Sequence, residues 1–389
     1  MKATSPEADL DCDDGEVQRR ARIGLAAACE PGEAGLGDVI ALHGPNATVA
    51  SLLAGQGVAM RVPRAQAIGR RLADLDLDGL IDRGRELGCR VLVPGDLHWP
   101  TRLDDLGAHR PLALWSWGDA NPRLHSVRSV AIVGARACTR YGDWVARDWA
   151  AQLASENIAV VSGGAYGIDA AAHRGALAAD GVTMCFLAGG VDVAYPRGHE
   201  ALFAEIVERG VILSEAPLGE TVRRRRFLTR NRLIAALASA TCVVEAAHRS
   251  GSVSTASHAA EMNRPVLAVP GPITSETSRG THRLIHSGVA ALAADIDDLR
   301  ASIESLALTP SSSDLTDRVS AAMREVLDVL PSHRRSSSGL SLTEVAVRSG
   351  VEASIARGHL QRAEQMGLVE RRDGSGWVFC ASEAADGRA

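Results

Sequence analysis

From about Val127 to Ala291, short apolar runs alternate with amphipathic stretches, and this alternation restricts the fold more than any other feature of the chain. Strands are predicted at 129–133, 159–161, 182–187, 211–213, 242–244, 265–269 and 289–291. Helices are predicted between them at 143–155, 170–179, 199–208, 228–237, 254–262 and 282–287. Runs this uniformly apolar are buried on both sides, which specifies a parallel sheet with helices covering each face. Gly or Ser follows several runs closely: Gly134, Ser162-Gly163-Gly164, Gly189-Gly190, Ser250-Gly251-Ser252 and Gly271. In such a sheet these turns gather along the carboxyl edge, where ligands bind.

One stretch beside that edge stands apart electrostatically. TVRRRRFLTRNR, residues 221–232, holds six arginines and no acidic residue in a chain of net charge -5. A positive island on a slightly acidic protein indicates a local polyanion site; a solvated arginine loop is the plainer alternative. Arg230-Asn231-Arg232, placed to begin the helix at 228–237, favours phosphate binding. Lys2 is the sole lysine, so arginine supplies nearly all the positive charge, which suits bidentate phosphate contacts.

The 389 residues suffice for two or three domains, and 46% hydrophobic content supports a main core. Seven scattered cysteines form no CxxC pair, and several sit in apolar runs, which indicates a reducing compartment and no zinc ribbon. The acidic start is unlike a signal peptide and no apolar run is long enough to span a bilayer, so a cytoplasmic protein is expected. Residues 1–16 are expected to be a disordered acidic head, and 17–110 a small helical domain broken at Glu30-Pro31-Gly32-Glu33 and at Leu42-His43-Gly44-Pro45. ALHGP followed by a helix has the look of a helix-hairpin-helix or SAM-like module, which can serve DNA, protein contacts or structure alone. The core is expected over 111–302 and a Ser/Thr/Pro-rich linker over 303–319. Residues 320–382 show three helices and then a hairpin signal at Asp373-Gly374-Ser375, a winged-helix pattern. Its basic and acidic residues nearly balance, which leaves protein docking and weak DNA binding equally open.

Four constellations could carry chemistry. Val133-Gly134-Ala135-Arg136 brings the backbone close to a ligand and extends Arg136 into the cleft, but it is no GxGxxG fingerprint, which disfavours a nicotinamide dinucleotide. Ser162 to Asp169 forms a small-residue nest that leads to His173. Asp169 and His173 at i, i+4 suit either acid–base work or, more simply, mutual orientation within the fold. Ser162 lies in no GxSxG elbow. Glu245 closes a buried strand before Arg249-Ser250-Gly251-Ser252, which is a phosphate cradle or an ordinary helix cap. His282 and His286 have metal-ligand spacing but no third ligand, so two helix-surface histidines are the expectation.

In order, VAIVGARACTRYG, VVSGGAYGIDAAAH, FLAGGVDVAYP, ILSEAP, RFLTRNRLIAAL, VVEAAHRSGSVSTASHAAE, RPVLAVPG and SRGTHRLIHSG resemble the DNA-processing protein A family, DprA or Smf. The resemblance runs from about Ala113 to Leu299. It implies an extended Rossmann-like core, binding of single-stranded DNA without catalysis or cofactor, loading of RecA onto DNA entering by natural transformation, and a homodimer. By matching position the DNA pocket would comprise Gly134, Arg136, Ser162, Gly163, Gly164, Tyr166, Arg230, Asn231, Arg232, Ser250, Gly251 and Ser252. Three positions depart from the family pattern: Tyr166 for a basic residue, Leu228 for proline and His199 for asparagine. Tyr166 and Phe227 are the candidate stacking faces, and the 223–226 run would funnel DNA toward the cleft.

The rival reading is an enzyme, a nucleoside-monophosphate phosphoribohydrolase of the lysine-decarboxylase-like type. Its PGGxGTxxE motif has only a partial counterpart in Ala188-Gly189-Gly190-Val191-Asp192, which lacks the Thr and Glu.

Overall fold

The apolar runs form one sheet because their alternate side chains pack against different helices. In β3 (Ser129–Val133), Val130 and Ile132 face one helical layer while Ala131 and Val133 face the other. None of the four is more than 3% exposed, and full burial of a Val or Ile stabilises by about 1.5–3 kcal/mol. The computed structural model describes residues 10–33, 35–56, 60–307, 321–330, 339–365, 368–372 and 376–379.

The strands are β1 (Cys89–Leu92), β2 (Leu114–Trp117), β3, β4 (Ala159–Gly163), β5 (Thr183–Phe186), β6 (Val211–Ser214), β7 (Ala240–Val243), β8 (Val266–Ala268) and β9 (Ala291–Leu292). They lie in the order β1-β2-β6-β5-β4-β3-β7-β8-β9. From β6 to β9 neighbouring strands are parallel, while β2 runs antiparallel to both β6 and β1. The mostly parallel α/β sheet is therefore as expected, with an antiparallel pair added at one edge. Cys89–Leu92 lies inside the 17–110 region expected to be a helical domain, just past the helical pattern itself. Its apolar residues are too few to distinguish a short strand from a helix end by periodicity.

One layer of helices contains α6 (Arg140–Ser155) and α7 (Ile168–Ala178), packed on Val130, Ile132 and Val160. The opposite layer contains α9 (Arg224–Leu237) and α10 (Gly251–Glu261), packed on Ala131, Val133, Val161 and Val243. The N-terminal helices are α1 (Leu10–Ala28), α2 (Leu36–Leu53), α3 (Val62–Ala73) and α4 (Leu77–Glu86), and α5 (Pro122–Val127), α8 (Glu200–Arg209), α11 (Arg279–His286) and α12 (Ile296–Ala307) complete the α-helices described before residue 308. α1 begins inside the segment expected to be disordered. Ile23 and Ala26 of α1 join the cluster that holds Trp115 of β2, so this region packs on the sheet rather than standing apart. α2 is broken at Gly44 (φ 77°, ψ 162°) before Pro45, where the sequence predicts the break.

The chain divides into two units, Met1–Leu306 and Ala307–Ala389. The second contains α13 (Ala321–Asp328), α14 (Leu342–Ser349) and α15 (Ala353–Gln365), then β10 (Val369–Arg372) antiparallel to β11 (Gly376–Phe379). A reciprocal cap between Ser341 and Glu344 starts α14, and Gly350 at φ 70° ends it. The Asp373-Gly374-Ser375 turn and residues 308–319 of the expected linker lie outside the described residues, while residues 303–307 end the helix α12 rather than opening a linker. Among the described residues, no helix is long and apolar enough to cross a membrane.

Candidate nucleic-acid interface

Glycine creates the cleft by letting backbones meet where a methyl group would collide. A Cβ at Gly134, just after β3, would lie 2.6 Å from Ile168 Cγ1 and 2.8 Å from Glu245 O. Gly167 takes φ 77° before α7, and a Cβ there would sit 2.2 Å from Ala135 O. The turns after β3 and β4 thus close on each other, and α9 and α10 form the opposite wall. Between them lies an open cavity of about 770 Å³ at the carboxyl edge of the sheet.

Arg136, Arg224, Arg230 and Arg249 line it, together with Gly134, Phe227, Leu228, Asn231 and Ser250-Gly251-Ser252. Arg230 forms the floor. It is 7% exposed and donates from Nη1 to Phe186 O, while its Nε has no hydrogen-bond partner among the described residues. Burial pulls its pKa down, and attraction to Asp169 opposes that. Burial likewise raises the Asp169 carboxyl, with Arg230 the strongest opposing influence. Gly163 is required beside this pair, since a Cβ would stand 2.3 Å from Arg230 Nη1 and 2.6 Å from Asp169 Oδ2.

Arg136, Arg224 and Arg249 are exposed at the rim. The Arg136 guanidinium lies 4.9 Å from the centre of the Phe227 ring, a cation–π contact. Phe227 in turn meets Tyr195 at 5.6 Å between ring centres. Tyr166, 51% exposed, stands edge-on to His199 at 4.5 Å. His199 is buried, with Nδ1 3.2 Å from Gly164 O, and burial lowers its pKa. The two departures His199 and Tyr166 therefore pack together, and Leu228 sits exposed at the cleft wall. On the opposite side, Asn231 Nδ2 donates to Gly251 O at 3.0 Å and ties α9 to the start of α10. Ser250 caps α10 by accepting from Ser252 N at 3.3 Å.

Gly134, Arg136, Arg230, Asn231, Ser250, Gly251 and Ser252 thus share one cavity wall or floor. Gly164 and Tyr166 line an adjoining recess with Arg136 and Tyr195. Three expected site residues do not line the cleft, among them Gly163, which packs behind it against Arg230 and Asp169. Ser162 is fully buried and donates to Ile132 O at 2.6 Å, so its hydroxyl serves the sheet. Arg232 points away from the cavity and donates through Nη1 and Nη2 to both oxygens of Glu215 at 2.8 Å, a buried bidentate pair. Half the expected funnel is similarly engaged, because Arg223 and Arg226 pair with Glu30 and Glu220. α9 begins four residues earlier than expected, so Arg224 to Arg226 ride on helix and point in different directions.

The remaining constellations are structural. Both ring nitrogens of His173 are engaged within the fold, Nε2 at 2.9 Å from Gly163 O and Nδ1 at 2.6 Å from the Thr183 hydroxyl. Its pKa falls to about 4, with desolvation the main cause. Glu245 accepts from Thr139 N at 2.8 Å and from Thr139 Oγ1 at 2.5 Å, and so braces the turn before α6. His282 Nε2 lies 3.0 Å from Gly271 O. Among the described residues, no three His, Cys, Asp or Glu side chains gather in a way that could hold a metal. Arg224, Arg249 and Tyr195 belong to the lining but were absent from the sequence-derived set. The signals existed: an arginine in the run, an arginine before a capping serine, and an aromatic before Pro196.

The family described as DNA recombination-mediator protein A matches residues 90–304. A Mycobacterium tuberculosis chain named for DNA processing protein DprA is 41% identical over 371 residues, 91% of this chain and 93% of that one. The X-ray structure of DNA processing protein A from Streptococcus pneumoniae superposes with a TM-score of 0.62 at 28% identity, covering 77% of this chain and 98% of that one. A Helicobacter pylori DNA processing protein A, described for its single-stranded DNA binding mode, gives a TM-score of 0.50 at 30% identity over 56% of this chain and 95% of that one.

Proposed function

Because this chain belongs to the DNA recombination-mediator protein A family, we propose that its arginine cleft binds single-stranded DNA and that the protein acts by binding rather than by catalysis. The observation that carries the reading is the convergence of Arg136, Arg224, Arg230 and Arg249 on one cavity beside the exposed faces of Tyr166 and Tyr195. Guanidinium groups grip phosphates irrespective of sequence, and ring faces accept any unstacked base. A duplex offers no free base faces, so single strands are preferred. The ion pairs of the buried Arg226 and Arg232 guanidinium groups keep those two charges out of the grip.

The candidate acid–base pair supports a non-catalytic role, since both ring nitrogens of His173 are held by fold contacts and Asp169 lies against Arg230. Protection of the strand and its transfer to a RecA recombinase, by a homodimer in the cytoplasm, complete the proposal; these rest on the family resemblance. Anisotropy titrations with matched single-stranded and duplex oligonucleotides test the core of it. Tighter single-strand binding, weakened strongly by Arg230→Ala, is expected. Equal affinity for duplex, or an Arg230→Ala variant that binds normally, would refute it. Assembly of RecA on strands coated with single-strand-binding protein, with and without this protein, tests the transfer step.

A further inference from the structure

The start of α9 is electrostatically unfavourable as a local structure. Its N-cap position is Arg223, which makes no side-chain cap, and the first turn holds Arg224, Arg225 and Arg226 without an acidic residue. The amino end of a helix carries partial positive charge, so three guanidinium groups there oppose helix formation. The missing negative charge comes from elsewhere in the fold. Arg226 Nε and Nη2 donate to Glu30 Oε2 and Oε1 at 2.9 and 3.1 Å, and Nη1 donates to Glu220 Oε2 at 2.9 Å. Arg223 Nη1 adds a bond to Glu30 Oε1 at 2.6 Å. The Arg226 side chain is only 7% exposed, so this fork is largely shielded from water.

Glu30 lies in the tight turn between α1 and α2, and that turn is pressed against α9. Gly32, at φ 70°, leaves 2.8 Å between a built Cβ and Thr229 Cγ2. None of Glu30, Glu220, Arg223 or Arg226 lines the DNA cavity, yet their neighbours Arg224 and Phe227 do. Phe227 carries the Arg136 guanidinium on its ring.

Resting on the single-strand reading of the cleft, we propose that Glu30 and Glu220 clasp Arg226 to set the first turn of α9, and so position Arg224, Phe227 and Arg136 for DNA. Arg226 is a positioning residue that does not touch the strand. The N-terminal helices thereby determine the quality of a site to which they contribute no lining side chain. The proposal has an unusual sign. Removing a carboxylate near a polyanion site strengthens binding through space, whereas releasing the clasp weakens it.

The test measures the affinity of the full chain for a labelled oligothymidylate at fixed salt, with thermal melting on the same samples. Glu30→Gln and Arg226→Gln are each expected to weaken binding roughly three- to tenfold, the usual range for coupling through a packed element. The double variant should be no weaker than the weaker single. Unchanged or tighter binding by Glu30→Gln, in a sample that melts like the parent and loses affinity on Arg224→Ala, overturns the clasp alone. A double variant that binds far more weakly than either single also overturns it. A parent chain that does not prefer single strands overturns the clasp together with the cleft.

Discussion

Salt dependence offers the most quantitative test of the cleft, because each phosphate neutralised releases a condensed counterion. Four arginines line the cavity, and at about 0.7 per phosphate on a single strand they give a slope of roughly 2.8 in log Kd against log salt. Affinity should therefore fall about 600-fold between roughly 0.05 and 0.5 M salt. Arg224→Ala isolates one contact. Arg224 is exposed at the rim and sits in the first turn of α9, where its charge opposes the helix. Its removal should leave stability unchanged or slightly improved while the slope drops to about 2.1. Arg225, the next residue, is exposed but does not line the cavity, so Arg225→Ala should keep the parent slope. Anisotropy titrations of a labelled oligothymidylate across that salt range give all three slopes. A parent slope below about 1, or equal effects from the two alanine variants, would show that the protein's general charge and not this cavity holds the strand.

Arg232→Ala should behave in the opposite way: it strands Glu215 in a buried position and should cost about 3–5 kcal/mol in denaturant unfolding, with the salt slope intact. Gly163→Ala places a methyl group against Arg230 and Asp169 and should weaken single-strand binding while costing about 1–3 kcal/mol of stability; parent-like affinity would mean that Arg230 is not held where it binds. His173 is held neutral, with its folded pKa lowered to about 4. Its contribution is present above the unfolded value near 6.5 and is lost as pH falls toward 4, by about 3 kcal/mol. The stability gap between the parent and His173→Gln should therefore narrow over that window in denaturant melts, and a constant gap would refute the buried neutral ring.

The strands with no polar alternation, such as Ser129–Val133, were legible because burial on both faces leaves only one kind of residue. β1 and β2 were not, because a short strand at the edge reads like the end of a helix until its partner is known. Gly134, Arg136, Arg230 and the Ser250 turn were legible as cleft residues from their place after strands. Ser162 reads the same way, yet its hydroxyl faces Ile132 O within the sheet. Whether a strand-end side chain looks along the cleft or into the sheet depends on the register of neighbouring strands, which is a tertiary fact.

The sequence by itself determined that arginines gather at the carboxyl edge of a parallel sheet, because composition and strand order place them there. Only the tertiary structure decided which arginines are available. Along α9, Arg224 and Arg230 line the cavity, whereas Arg226, one turn before Arg230, and Arg232 end against parts of the fold that carry acidic side chains. There they meet Glu30, 196 residues away in the chain, and Glu215. A carboxylate so distant leaves no local trace in the sequence, but once folded against a guanidinium it removes that charge from the surface DNA would meet.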